Sequence, residues 1–185
     1  MSLKSLIIKR MKKAIFIDRD WTITSEDCYP NFFPENVELM ENNIWEILKK
    51  FKQKWYLVII ITNQAWIDKW YYTEKDFWEF MEETEKQLSF KFDKTYFCPY
   101  HPDYSWKYSC RKPDNWMILQ AKKDFNIDLE KSFMIWDSEK DIKAGKKSWT
   151  KTILYNSKNL DRLDTKPDYA IKSWSEIEKI ILNIN

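Results

Sequence analysis

Residues 13–20 read Lys-Ala-Ile-Phe-Ile-Asp-Arg-Asp. The run Ala14 to Ile17 is apolar without alternation and ends on two acids one residue apart, Asp18 and Asp20. A short continuous apolar run is a strand buried on both faces, so its acids stand at the strand's carboxyl end. The same figure recurs down the chain. Tyr56 to Ile61 is followed by Thr62-Asn63-Gln64, and Phe133 to Trp136 is followed at once by Asp137. Thr95 to Cys98, Lys151 to Tyr155 and Tyr169 to Ile171 read as further short strands.

Helical patterns lie between them. Met40, Ile44, Ile47, Leu48 and Phe51 repeat at helical spacing within residues 40–53. Thr73 reads as an N-cap with Asp76 three residues on, opening a helix that runs to about Phe90. Residues 114–126, 139–147 and 173–182 read as helices as well. The alternation predicts an α/β fold, a Rossmann-like three-layer sandwich around a central parallel sheet. Ligands bind such sheets at the carboxyl ends of the strands. Residues 25–38, with Pro30 and Pro34, and residues 99–113 read as long loops bordering that mouth. Residues 11–185 read as one domain, and residues 1–10 as an N-terminal extension ahead of Met11.

Charge excludes little but points somewhere. Thirty-one basic and 29 acidic residues leave a net +2, which gives no reason to expect a nucleic-acid or membrane partner. The longest apolar run, Tyr56 to Ile61, is too short to cross a bilayer, and the N-terminus lacks a secretory pattern. Three cysteines, Cys28, Cys98 and Cys110, are too few for a disulfide framework and suit a reducing compartment. The expectation is a cytoplasmic monomer acting on a small molecule.

Four segments carry chemistry: Asp18-Arg19-Asp20, Thr62-Asn63-Gln64, Arg111-Lys112-Pro113 and Asp137 to Asp141. Phosphoryl transfer needs a carboxylate to attack phosphorus and a second to protonate the leaving oxygen. It also needs a hydroxyl and an ammonium for the phosphoryl oxygens, and a carboxylate site for Mg²⁺. Taken singly, each segment has a plainer reading. A D-x-D is common on solvated loops, Thr-Asn-Gln makes turns, lysine is usually exposed, and Asp137 and Asp141 suit a helix start. A shared pocket at the strand ends accounts for all of them together.

The stretches "AIFIDRD", "LVIIITNQA", "YYTEKDF", "CRKP" and "IKAGKK" resemble the haloacid dehalogenase superfamily, in its histidinol-phosphate and heptose-bisphosphate phosphatase branch. The likeness covers about residues 12–155. It implies Asp18 as nucleophile and Asp20 as general acid/base. Thr62 and Lys112 would hold phosphate, and Asn63, Gln64 and Arg111 would face substrate. Mg²⁺ would sit on Asp18, Asp137 and Asp20, the last through its backbone carbonyl, with Asp141 in support. The "CPYHPD" loop favours the heptose-bisphosphate group over histidinol phosphate. A nucleic-acid 3′-phosphatase is weaker, because no basic or stacking surface is visible. About 40 residues between Asp20 and Thr62 leave no room for a large cap domain. The branch's zinc loop falls on Cys98, Tyr100, Tyr108 and Cys110, so two ligands are gone. His101 adds only one, and zinc is not expected.

One departure is systematic. The chain has one glycine and eleven tryptophans, against a usual glycine content of about 7%. Trp21, Trp66, Trp70, Trp116 and Trp136 stand where the branch's motifs carry glycine, and Trp55 and Trp149 fall at turns. Wholesale replacement of this kind follows if the source organism reads UGA as glycine and the codon is translated as tryptophan. The other reading is an aromatic-rich core of genuine tryptophans. Trp21 and Trp136 would then block the pocket and leave a non-catalytic binder of phosphate ligands. Trp45, Trp78, Trp106 and Trp174 do not discriminate.

Overall fold

The computed structural model describes residues 10–25, 33–105, 110–155 and 163–183. Cys28, Pro30, Trp106, Tyr108 and residues 1–9 of the expected extension lie outside them. The chain runs β1 (Lys13–Ile17), α1 (Ile44–Gln53), β2 (Tyr56–Asn63), α2 (Glu74–Gln87), β3 (Lys94–Cys98) and α3 (Trp116–Phe125). It continues with β4 (Phe133–Trp136), α4 (Glu139–Lys147), β5 (Lys151–Tyr155), β6 (Tyr169–Ile171) and α5 (Trp174–Asn183). All six strands are parallel and lie in the order β3-β2-β1-β4-β5-β6.

Both faces of this sheet are covered, which is why its strands carry unbroken apolar runs. Ile15, Ile17, Val58, Ile60, Phe133 and Ile135 face one layer, formed with α1, α2 and α5. Phe16, Ile59, Ile61, Met134 and Leu154 face the other, formed with α3 and α4. The expected three-layer sandwich is the one observed. Gly145 of α4 marks where that helix touches β5. A Cβ there would come within 2.9 Å of Thr152 Cγ2.

Two predicted helix starts moved. Helix α1 opens at Ile44 because Met40 and Glu41 are used in a turn, with Met40 N–H donating to the Ile23 carbonyl at 2.9 Å. Helix α3 opens at Trp116, after the Asp114 N–H has closed a turn onto Arg111 O at 2.8 Å. The cap of α2 is as expected. Thr73 Oγ1 accepts from Asp76 N–H and the Asp76 carboxylate accepts from Thr73 N–H at 2.8 Å, a reciprocal capping box.

Helix ends expose the tryptophan anomaly. Helices α1 to α4 each terminate at a left-handed residue: Trp55 (φ 64°), Ser89 (45°), Asn126 (56°) and Trp149 (62°). At the end of α4, Trp149 N–H donates to Lys146 O and Thr150 N–H to Gly145 O, both at 3.1 Å, a complete Schellman turn. Glycine favours that left-handed position because a Cβ there crowds the backbone. Trp70 and Trp21 share the conformation, at φ 62° and 56°. Trp55, Trp70 and Trp149 are 87%, 92% and 78% exposed, so no packing offsets the strain. Trp174 behaves oppositely. It is fully buried, and its indole N–H donates to Thr22 O at 3.1 Å. Trp136 is buried too, but its indole N–H has no partner among the described residues.

This contrast has a measurable consequence. Trp55→Gly, Trp70→Gly and Trp149→Gly should each stabilise the protein by ~1 kcal/mol, by release of left-handed strain. Trp174→Gly should destabilise it by at least ~3 kcal/mol, as large-to-small core changes do. Urea unfolding of the four variants checks both signs. A loss of stability in the first three would show that those tryptophans suit their places.

Candidate active site

The expected strand-end residues converge where the topology reverses. Strand β1 lies between β2 and β4, so Asp18, Thr62-Asn63 and Asp137 emerge side by side at one sheet edge. Asp18 N–H donates to Ile135 O at 3.0 Å, which fixes the end of β1 against β4.

Lys112 is the hub. It is only 2% exposed. Its Nζ lies 2.8 Å from Asp18 Oδ2 and 2.5 Å from Asp141 Oδ1, and it donates to Ile61 O at 3.0 Å. Burial alone would lower its pKa, but Asp141 and Asp18 reverse that and hold it above the ordinary lysine value. Its backbone is clamped by Asn63, whose Oδ1 accepts from Lys112 N–H at 2.9 Å and whose Nδ2 donates to Lys112 O at 3.1 Å. Asn63 therefore spends its amide on Lys112.

Asp18, Asp137 and Asp141 offer carboxylate oxygens within 4.8 Å of one another. Three carboxylates around one ammonium leave two negative charges uncompensated. Burial raises the Asp18 pKa to about 6, against the pull of Lys112. Burial, with Asp18 and Asp141 nearby, raises Asp137 to about 7. Crowded oxygen donors with excess negative charge fit a hard divalent cation such as Mg²⁺. Asp141 supplies one of the three carboxylates. The Asp20 side chain points elsewhere, into an ion pair with Arg19 and a 2.9 Å bond from Gln64 Nε2. Ser138 Oγ donates to the second Asp141 oxygen at 2.5 Å.

A cavity of about 210 Å³ opens over this cluster, lined by Asp18, Asp20, Arg111, Lys112, Asp137 and Asp141 among others. Trp21 and Trp66 stand at its wall, whereas Trp136 is buried in the core beside α4 and does not line it. Thr62 is fully buried, does not line the cavity, and accepts from Gln64 Nε2 at 2.8 Å. Gln64 touches the cavity but is itself buried and hydrogen-bonded within the protein. Sequence reasoning passed over Arg19, Tyr72 and Lys140, which also line the cavity. The one available signal was their adjacency to the motifs.

Two cysteines are paired, a single link that the sequence did not disclose and that falls short of a disulfide framework. Cys98 and Cys110 form a disulfide with their Cα atoms 5.5 Å apart. The cause is local. Asn63 is in register with Cys98 across β2 and β3, and its side chain holds the Lys112 backbone, so Cys110 returns beside Cys98. His101 Nδ1 accepts from Asp103 N–H at 3.2 Å.

Removing Lys112 should expose its dual role. Lys112→Met leaves two buried carboxylates unpaired and should cost ~3–5 kcal/mol at neutral pH. The deficit should shrink as pH falls toward 6, because Lys112 holds the Asp18 pKa down to about 6 and without that ammonium the carboxyl takes up its proton at higher pH. Denaturant titrations at two pH values read this directly.

The HAD-hydrolase-like family model matches residues 109–177. The D-glycero-beta-D-manno-heptose-1,7-bisphosphate 7-phosphatase of Helicobacter pylori J99 is 40% identical over 151 residues, spanning 80% of this chain and 84% of that protein. Its namesake from Pasteurella multocida is 34% identical over 181 residues, 92% of this chain and 97% of the relative. Among solved structures, D,D-heptose 1,7-bisphosphate phosphatase from B. bronchiseptica, complexed with magnesium and phosphate, superposes with a TM-score of 0.80. It covers 94% of this chain and 99% of its own at 17% identity, a likeness of fold. With relatives this similar over nearly their whole length, the chain belongs to the HAD-type phosphatases, in the heptose-1,7-bisphosphate 7-phosphatase family.

Proposed function

We propose that this phosphatase removes one phosphate from a sugar bisphosphate, with Asp18 as nucleophile and Asp20 as proton donor and acceptor. The observation that carries the reading is the packing of Asp18, Asp137 and Asp141 around buried Lys112, under an open cavity, with Asp20 alongside. An Asp18 carboxylate oxygen bonds to phosphorus while the bond from phosphorus to the sugar oxygen breaks. The departing oxygen takes a proton from Asp20. Asp20 then accepts a proton from water, whose oxygen attacks the phosphorus and releases phosphate and Asp18. Lys112 compensates charge on Asp18 and orients it, and Asn63 fixes Lys112. Mg²⁺, held by Asp18, Asp137 and Asp141 with the Asp20 carbonyl as the expected further ligand, would supply neutralisation of the phosphoryl oxygens.

The cavity wall also favours a substrate with two anionic groups. Arg111 and Lys140 line it in addition to Lys112. A second phosphate is attracted by those cations, whereas the amine and imidazole of histidinol phosphate are not. We infer further that the native enzyme carries glycine at positions 21, 66, 116 and 136. Trp21 and Trp66 stand at the cavity wall, and three more tryptophans hold left-handed backbone where glycine belongs. Of the two tryptophans on which the reading as a non-catalytic binder rests, Trp136 does not enter the cavity, and Trp21 stands at the wall of a cavity that remains open.

Phosphate release should be measured on heptose 1,7-bisphosphate, histidinol phosphate and other sugar phosphates. The chain as it stands and a form with glycine at 21, 66, 116 and 136 should be compared. The bisphosphate should be preferred, the glycine form should be the faster, and Asp18→Asn should lose about 10³-fold or more. Activity that survives Asp18→Asn would remove the nucleophile assignment.

Magnesium should compete with protons. Folded carboxylates raised to about 6 and about 7 bind protons more tightly than in the unfolded chain. Their contribution to stability is full below the ordinary carboxylate range and is lost as pH rises through 6 to 7. Mg²⁺ should therefore raise the melting temperature strongly at pH 8 and little at pH 5. A shift independent of pH would place the ion elsewhere.

A further inference from the structure

Asp20 is held from two sides, by Arg19 and Gln64, both buried and hydrogen-bonded within the protein. One of its oxygens pairs with Arg19 Nε, and the other accepts from Gln64 Nε2 at 2.9 Å. Gln64 cannot turn. Its second N–H donates to Thr62 Oγ1 at 2.8 Å, while its Oε1 accepts from Arg19 Nη2 at 3.2 Å and from the Tyr72 hydroxyl. An amide has two N–H donors and two carbonyl lone pairs, and all four are used here. Flipping it would set its oxygen against the Asp20 and Thr62 acceptors and its N–H groups against the Arg19 donor, so one orientation is enforced.

Arg19 is locked as firmly. It is buried, and its guanidinium lies 4.6 Å from the Phe80 ring centroid and 5.6 Å from that of Phe77, both on α2. Planar guanidinium stacked on aromatic faces is rigid in a way lysine is not. Tyr72 immediately precedes the Thr73 cap of the same helix. Helix α2 thus forms a platform under Asp20, although it contributes no group to the reaction.

We propose that Arg19, Gln64 and Tyr72 are positioning residues for proton transfer: they aim the Asp20 carboxyl at the leaving oxygen. This rests on Asp20 as the proton donor. Each Asp20 oxygen keeps a second lone-pair direction, so the group can be fixed and still exchange a proton with substrate. The assignment replaces the expectation that Gln64 contacts substrate, because its polar atoms are already spent inside the protein.

The leaving group separates aiming from scaffolding. A sugar phosphate expels an alkoxide that needs a proton, whereas p-nitrophenyl phosphate expels a phenolate that does not. The full chain with Mg²⁺ should be assayed on both as Arg19→Lys, Gln64→Leu, Tyr72→Phe and Asp20→Asn. Gln64→Leu and Arg19→Lys should lower kcat/KM, which reports only the steps through departure of the leaving group and not the hydrolysis common to both substrates, by about 10²-fold on the sugar phosphate and by about threefold or less on p-nitrophenyl phosphate. Tyr72→Phe deletes one hydroxyl and should show the same asymmetry, reduced, which keeps the test usable if Arg19→Lys fails to fold. Equal losses on both substrates would overturn the positioning role. Equal losses for Asp20→Asn itself would instead overturn the proton-donor assignment beneath it.

Discussion

A lysine ammonium with almost no solvent contact can exist only where counter-charges replace its water. Lys112 has two, Asp18 and Asp141, and each of those carboxylates depends on the same ammonium. Such a trio is stable only if every partner arrives together. Much of the surrounding structure serves that arrival. The end of β2 supplies the Ile61 carbonyl and the Asn63 clamp, and the end of β1 supplies Asp18. The first turn of α4 brings Asp141, and the Cys98–Cys110 link returns the chain to the same rim. The trio still falls short of neutrality once Asp137 is included, and that shortfall makes the site receptive to a divalent cation.

The sheet order decides which segments can meet there. Strand β1 is central, with β2 on one side and β4 on the other, so the three chemistry-bearing strand ends are neighbours. Strands β5 and β6 lie beyond and bring no residue to the cavity wall. Their contribution is burial: Ile153, Tyr155 and Ile171 extend the core that α5 closes. The core under the site is then dry and stiff, and a dry surround is what lifts the Asp18 and Asp137 carboxyls from their ordinary range.

The strands could be read from sequence because parallel strands covered on both faces leave continuous apolar runs. The order of acids, hydroxyl and lysine after those runs was equally plain. Side-chain direction was not. Period-two alternation places Thr62 and Gln64 near the strand end, yet it does not say whether a polar atom turns to the cavity or to a neighbour. Gln64 turned inward because Arg19, Asp20, Thr62 and Tyr72 together satisfy it. Arg19 was overlooked for the same reason: between two acids it reads as a solvated turn, and only α2, folded over it, makes it a buried fork. The cysteine pair depended on strand register, which one sequence does not print.

The tryptophans fall into groups that obey different physics. Trp174 is packed and hydrogen-bonded, as a large amphipathic ring in a core should be. Trp55, Trp70 and Trp149 hold left-handed backbone with their rings in solvent, so strain is present and compensation is absent. Trp136 is fully buried with an indole N–H unsatisfied among the described residues, a defect of hydrogen bonding and not of backbone conformation. Backbone geometry makes this argument independent of motif resemblance, since a Schellman or similar helix end requires a left-handed residue whatever the family. Four helices end that way, and Ser89 and Asn126 serve two of them. Asparagine tolerates the conformation through its short polar side chain; tryptophan has no such means. Where glycine conformation, solvent exposure and the family's glycine motifs coincide, the fold specifies glycine, and tryptophan is accommodated against it.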